Sequence, residues 1–246
     1  MRRTEVCACV GCVLYVIGTT LLVPSSVFLV MSSLDFPPST YDRSIAGYVS
    51  ATSFLVLAAL SDLLAVCISR SAKGRGVTLL GSEGRSDGDC LRAEFNAHPL
   101  AGAIAMLIGG VLFLSGAVLY LRVFAFRPGP FGTKSLSDFG TWVFRLGSLS
   151  YLCGSALSVR NVLLAPSSDG CAAPHNPVVL PERRVGLIGT VMYILGALLF
   201  IAGGIMSQAG AGGLASGVAW LVGSLLFASG SFVFLTLTLR PYFRVM

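Results

Sequence analysis

The stretch Val185–Leu239, VGLIGTVMYILGALLFIAGGIMSQAGAGGLASGVAWLVGSLLFASGSFVFLTLTL, runs for 55 residues without an Asp, Glu, Lys or Arg. A helix needs about 20 apolar residues to cross about 30 Å of hydrocarbon, so this run is too long for one span and long enough for two. It breaks at Ser207–Gly217 (SQAGAGGLASG), where glycines and small polar residues read as a tight turn. The unit of the fold is therefore a hairpin of two membrane helices.

The rest of the chain repeats the pattern. Val6–Leu34 and Phe95–Leu121 also lack acidic and basic side chains, Ala46–Ser69 contains Asp62, and Asp138–Leu164 contains Arg145 well inside it. These runs predict six helices, at about 7–31, 46–69, 99–122, 139–163, 184–206 and 214–238. The fold class that follows is all-α: a polytopic six-helix transmembrane bundle forming a single membrane domain over 1–246. Composition agrees, since 54% of the 246 residues are hydrophobic and only 11% are charged, against roughly a quarter charged in soluble chains. That balance excludes an ordinary soluble domain and intrinsic disorder. Seven Cys are too few and odd in number for a disulfide-stapled module.

Basic residues in the connections set the orientation. Arg2, Arg3, Arg70, Lys73, Arg75, Arg85, Arg92, Arg160, Arg183, Arg184, Arg240 and Arg244 fall on the side of the termini, against Arg43, Arg122, Arg127 and Lys134 on the other. The bias places both termini in the cytoplasm, or on the equivalent face of an organelle membrane. The net charge of +6 then describes a rim facing anionic lipid, with no call for nucleic acid. Trp142 and Trp220 fall near the outer helix ends, as interfacial aromatics do. Met1-Arg2-Arg3 before an apolar run has the look of a signal peptide, but the run is longer than the 7 to 15 residues typical of such regions, so a membrane helix is expected.

Small residues recur at a spacing of seven. Gly11 and Gly18, Gly102 and Gly109, and Gly189 and Gly196 mark the odd-numbered helices. Gly147 with Gly154 and Gly223 with Gly230 mark the fourth and sixth, each followed by Ser, and Ala58 with Ala65 takes the equivalent places in the second. Three tandem hairpins are expected, at about 7–69, 99–163 and 184–238, in a parallel-repeat arrangement. Residues seven apart lie on nearly one helix face, and lipid gives helices no hydrophobic drive to associate. Small stripes of this kind are accordingly the expected packing seams. The segment 70–98, rich in Gly, Ser and Arg, reads as a flexible cytoplasmic loop.

Gly140-Thr141-Trp142-Val143-Phe144, followed by Gly147-Ser148 and Arg160, resembles the closing helix of the YrhK-like small membrane-hairpin domain. Ala219–Ser224, ending in Leu239-Arg240-Pro241, resembles it again, with Leu107–Phe113 and Ile194–Phe200 in the role of the opening helix. The likeness extends over the last two hairpins and departs from the pattern at Asn161, where Pro would stand. It implies a membrane hairpin and no established activity.

Asp62 and Arg145 are the ionisable residues inside spans, and an intramembrane charge is a functional candidate by default. Their depths differ, so Arg145 is expected to reach outward and Asp62 to bond to Ser61, to a neighbouring hydroxyl or to water near the cytoplasmic rim. In the hairpin alignment Asp62 corresponds to Tyr151 and Phe227, and Arg145 to Val56 and Leu221, so the charges do not repeat. Cys7, Cys9 and Cys12 beside Arg2 and Arg3 lack the fourth ligand of a tetrahedral metal site, and acylation or plain packing is expected of them. Cys67, Cys90, Cys153 and Cys171 suggest no disulfide. His98 and His175, each beside Pro, lack catalytic partners, and Ser86 is a candidate phosphorylation site. No convergent titratable groups, cofactor site or metal site is expected. The reading that follows is a non-enzymatic accessory membrane protein whose partners are the lipid bilayer and other membrane proteins or a second copy, the alternative being a small channel or carrier with a central route.

Overall fold

Backbone polar groups cannot go unpaired in hydrocarbon, and a charge-free run satisfies them internally only as a helix. The computed structural model describes residues 3–34, 37–77, 88–164, 179–210 and 213–243, with side chains over 6–34, 37–71, 100–157, 184–210 and 213–239. Seven helices and no strand occur among the described residues: α1 (Arg3–Ser32), α2 (Ser39–Val77), α3 (Gly88–Leu119), α4 (Arg122–Ala125), α5 (Leu136–Leu164), α6 (Val179–Gln208) and α7 (Gly213–Phe243).

Five of these contain stretches long and apolar enough to cross a membrane: Val6–Ser32, Ser39–Ser71, Leu100–Leu119, Arg184–Gln208 and Gly213–Leu239. The fold is thus that of a helical integral membrane protein. α5 is not among the five. Asp138, Arg145 and a series of serines including Ser137, Ser148, Ser150 and Ser155 dilute its apolar content, so the expected count of six spans does not follow from length and apolarity alone.

The helices also overrun their expected ends. α2 begins at Ser39, directly after Pro37-Pro38, and continues through the basic residues to Val77; α3 begins at Gly88. Much of the segment read as a flexible loop, 70–98, is therefore helical, and 78–87 lies outside the described residues. The charge-free run measures hydrocarbon, whereas Ala, Lys and Arg continue a helix into the polar region at little cost. The turn after α6 is tighter than its Gly-rich sequence suggests. Gly210 takes φ +71°, a conformation open to glycine, while Ala209 N–H donates to the Ile205 carbonyl at 2.9 Å and ends the helix.

α1 packs on α2, α3 on α5 and α6 on α7; α2 then meets α3, α5 meets α6, and α7 returns to α1. The six long helices thus form a closed ring. Its interior is filled by Leu22, Tyr48, Leu55, Phe113, Phe144, Tyr151, Tyr193, Phe200, Trp220 and Phe227, all buried. The rings touch one another: Phe113 lies 4.5 Å from Phe144, 5.1 Å from Tyr151 and 5.9 Å from Phe200, and Phe200 lies 5.5 Å from Phe227. Trp220 is 8% exposed and its indole N–H donates to the Phe200 carbonyl at 3.2 Å. It is a core residue, contrary to the interfacial place expected for it, whereas Trp142 is 51% exposed.

Glycines allow this approach. A Cβ on Gly109 would fall 2.6 Å from the Tyr151 ring, and one on Gly147 would fall 3.0 Å from Phe113 and 3.1 Å from the Gly109 carbonyl. The same contacts fix the register of α1 and α2 and correct one expectation. Gly18 faces the Ala51 carbonyl and Gly11 the Ala58 carbonyl. Ala51 and Ala58, both fully buried, hold the places that Gly147 and Gly154 hold in α5. Ala65 lies one heptad further on and lines a cavity. A shift of seven leaves a seven-residue stripe unchanged, which is why spacing alone misaligned it.

Candidate functional site

Two cavities lie on the ring axis, one toward each end. The larger, about 510 Å³, is lined from all six long helices by residues that include Cys12, Tyr15, Asp62, Ala65, Met106, Ser155, Thr190, Tyr193, Phe234 and Thr238. It occupies the end at which α1 begins and α7 finishes. The smaller, about 180 Å³, is lined at the opposite end by residues including Ser33, Tyr41, Tyr48, Tyr120, Phe144, Ser207, Ser216 and Trp220. Between them stands the layer of Leu22, Leu55, Phe113, Tyr151, Phe200 and Phe227.

The heptad correction explains how Asp62 reaches the larger cavity. Gly18, Gly109 and Gly196 are covered from the facing helix by Leu55, Tyr151 and Phe227, respectively. One heptad toward the termini, Gly189 is covered by Phe234 and Gly11 by Asp62, so Asp62 stands in the place of Phe234 and not that of Tyr151 or Phe227. A carboxylate is smaller than a phenyl ring, and space remains. A Cβ on Gly11 would fall 2.5 Å from Asp62 Oδ1, so the carboxylate rests on the bare backbone of α1. Neither Ser61 nor any other described residue forms a hydrogen bond or ion pair with it.

Several cavity groups are likewise unpartnered. Tyr15 Oη and Ser155 Oγ, and Tyr151 Oη beside them, have no hydrogen-bond partner among the described residues. Tyr151 and Ser155 are each 1% exposed. A buried polar group without a partner costs about 1 to 3 kcal/mol, so three of them near one cavity are an unusual concentration.

Beside this cavity runs a line of satisfied groups. Cys12, Thr19 and Ser26 of α1 meet Thr238, Ser231 and Ser224 of α7 at 3.3, 3.1 and 2.9 Å. Ser231 is also bonded to the Tyr193 hydroxyl at 2.5 Å, and Ser26 to that of Tyr48 at 2.6 Å. Each partner set is spaced by seven in the sequence. Stepping one residue from the glycine stripe to find the hydroxyl stripe would have exposed this ladder.

Arg145 is apart from Asp62. Its Nη2 donates to the Gly204 carbonyl of α6, and its guanidinium lies 5.0 Å over the Trp142 ring. At the same end Arg122 Nε meets Asp42 at 2.8 Å and Tyr41 Oη donates to the Tyr120 carbonyl at 3.0 Å. Cys7 and Cys9 are partly buried, and Cys7, Cys9, Cys12, Cys67 and Cys153 are all free thiols. No group of metal-ligating side chains occurs among the described residues. The side chains of His98 and Cys90, together with Cys171, His175 and Ser86, lie outside the described residues.

Residues 98–162, across most of α3 and α5, match the YrhK-like protein family. The match covers about a quarter of the chain and does not extend to α6 and α7, for which the same resemblance was expected. No curated protein and no solved structure matches the chain.

Proposed function

We propose that this is a non-enzymatic, multi-pass membrane protein of six spans that acts through helix packing on neighbouring membrane proteins or on a second copy of itself, and conducts nothing alone. The observation that carries this reading is the aromatic layer. Phe113, Tyr151, Phe200 and Phe227 meet ring to ring between the two cavities, and the nearby hydroxyls of Ser26 and Ser224 are spent on each other and on Tyr48. An ion crossing there would lose its hydration shell with no ordered oxygens to replace it.

The sixth span is α5. Its inward face buries Ser148, Tyr151 and Ser155 between α3 and α6, which supports a place in the membrane despite its polarity. Three tandem hairpins, with both termini cytoplasmic, fit the glycine contacts of the packed pairs and the basic bias of the sequence. The outward faces are apolar, for example Leu57, Leu60 and Leu64 of α2 and Ile104, Ile108 and Val111 of α3. Such faces suit lipid or a membrane subunit.

Liposomes containing the purified protein should show no flux of potassium, chloride or protons above protein-free vesicles. A carrier with a central route is the second reading, favoured by two cavities on one axis. Reproducible flux that is lost in Gly102→Phe, which fills the larger cavity, would establish it. For topology, single cysteines at Pro130 and Leu80 in a Cys-free background should label from opposite sides, the first only from outside.

A further inference from the structure

We propose that the larger axial cavity is a binding site for a small protonated amine with an apolar body, held by Asp62. The volume of about 510 Å³ is within the range of sites for small organic molecules, about 300–1,000 Å³. Its charge is of one sign. Asp62 is the one carboxyl group among the described lining residues, no Lys or Arg is among them, and Asp62 pairs with no described residue. Away from bulk water a carboxyl group holds its charge at low cost only beside a cation, so a protonated amine is the guest that would pair with it.

Hydrogen bonding narrows the class. Tyr15 Oη and Ser155 Oγ are unpartnered among the described residues and belong to the same lining as the carboxylate. A primary ammonium has three N–H donors, and the carboxylate with two hydroxyl oxygens offers three acceptors. Met106, Ala103, Val66 and Phe234 supply an apolar surface for the rest of the molecule. A divalent metal ion fits poorly, since calcium takes six to eight oxygens at about 2.3–2.6 Å and this cavity has one carboxylate. An anion is opposed by Asp62. A lipid tail would use the apolar wall and leave the carboxylate and both hydroxyls unanswered.

The probe is 2-phenylethylammonium, with 2-phenylethanol as a neutral comparison of nearly the same shape, titrated calorimetrically into the full-length protein in mild detergent. Saturable binding of the amine is expected, with the alcohol at least about ten-fold weaker. Asp62→Asn should remove most of that preference while eluting as the same monodisperse species on gel filtration. Ala103→Phe, which fills the cavity, should abolish binding, and Tyr15→Phe with Ser155→Ala should weaken it several-fold.

Equal binding of amine and alcohol, or binding unchanged in folded Asp62→Asn, would overturn the proposal. So would no saturable binding of the amine up to about 10 mM, which corresponds to a free energy too weak for a built site. An alkyl chain retained in the cavity by native mass spectrometry, and indifferent to Asp62→Asn, would assign the space to lipid and overturn it as well. Should Asp62→Asn fail to fold, the Ala103→Phe result and the amine-to-alcohol ratio of the unmodified protein decide the question.

Discussion

The seam between α1 and α7 and the seam between α2 and α3 do the same job by different chemistry. Three hydrogen-bonded pairs cross the first, Cys12–Thr238, Thr19–Ser231 and Ser26–Ser224. Across the second, Gly110 lies against Val56, where a Cβ would fall 3.3 Å from Cγ2 and 3.4 Å from the backbone. α2 and α3 are consecutive, so the chain itself limits how far one can slide along the other. α1 and α7 have the whole chain between them. In lipid, where apolar contact is nearly independent of register, directional bonds every seventh residue fix the alignment that connectivity leaves free.

The largest effect should come from neither seam but from within a pair. Gly147→Leu and Gly223→Leu insert a side chain where Phe113 or Phe200 and a backbone carbonyl already stand, at a cost of about 1 to 3 kcal/mol or more. Unfolding in mixed micelles, compared with Leu149→Ala on the outer face, measures it; equal tolerance would mean that the stripes have no packing role. Gly110→Leu should behave similarly, because a close apolar seam has no room to yield.

The ladder sharpens the contrast. Thr19→Val with Ser26→Ala and Ser231→Ala should cost about 2 kcal/mol in all, taking roughly 0.6 kcal/mol for each interhelical bond and a little more for the orphaned Tyr193 and Tyr48 hydroxyls. Cysteine cross-linking between α1 and α7 should also lose its single register, whereas α2–α3 cross-links should stay where they are. An unchanged α1–α7 register would assign the alignment to the glycines instead.

Arg145 and Asp62 provide a smaller test. Arg145 bonds the Gly204 carbonyl and stacks on Trp142, and Asp62 is at the other cavity. Asp62→Asn and Arg145→Leu should each be tolerated, and a double-mutant cycle should give coupling under about 0.5 kcal/mol. Rescue of one by the other would put the pair at the centre of the molecule. Smallest of all is Arg122–Asp42, about half exposed on both sides. Asp42→Asn should cost well under about 1 kcal/mol, and less at high salt.

The helices and the turn at Gly210 were legible because hydropathy and glycine report local physics. The register of α2 was not, because Ala51, Ala58 and Ala65 are spaced alike and only contacts with Gly18 and Gly11 choose among them. Trp220 was misread for a related reason: an aromatic near a helix end suits an interface or a core, and the facing Phe200 carbonyl decides. Asp62 stood out at once as an intramembrane charge, yet the cavity around it did not. Tyr15, Ser155, Thr190 and Phe234 come from four helices and converge only when the ring closes. The hydroxyl ladder was present in the sequence, one step from the glycines, and was hidden by reading small residues only as spacers.

The ring closes between a helix made early and one made late. During synthesis Cys12, Thr19 and Ser26 enter the bilayer with no α7 to receive them, so every unfinished chain shows the membrane a column of polar groups that the finished one conceals. Exposed polarity of this kind is costly in lipid; Ser26 can meet Tyr48 once α2 is made, but Cys12 and Thr19 find their partners on another helix only when Thr238 and Ser231 arrive. Chains stopped after α6 should therefore be short-lived beside full-length ones in a pulse-chase, and Thr19→Val with Ser26→Ala should lengthen the life of the fragment while weakening the whole.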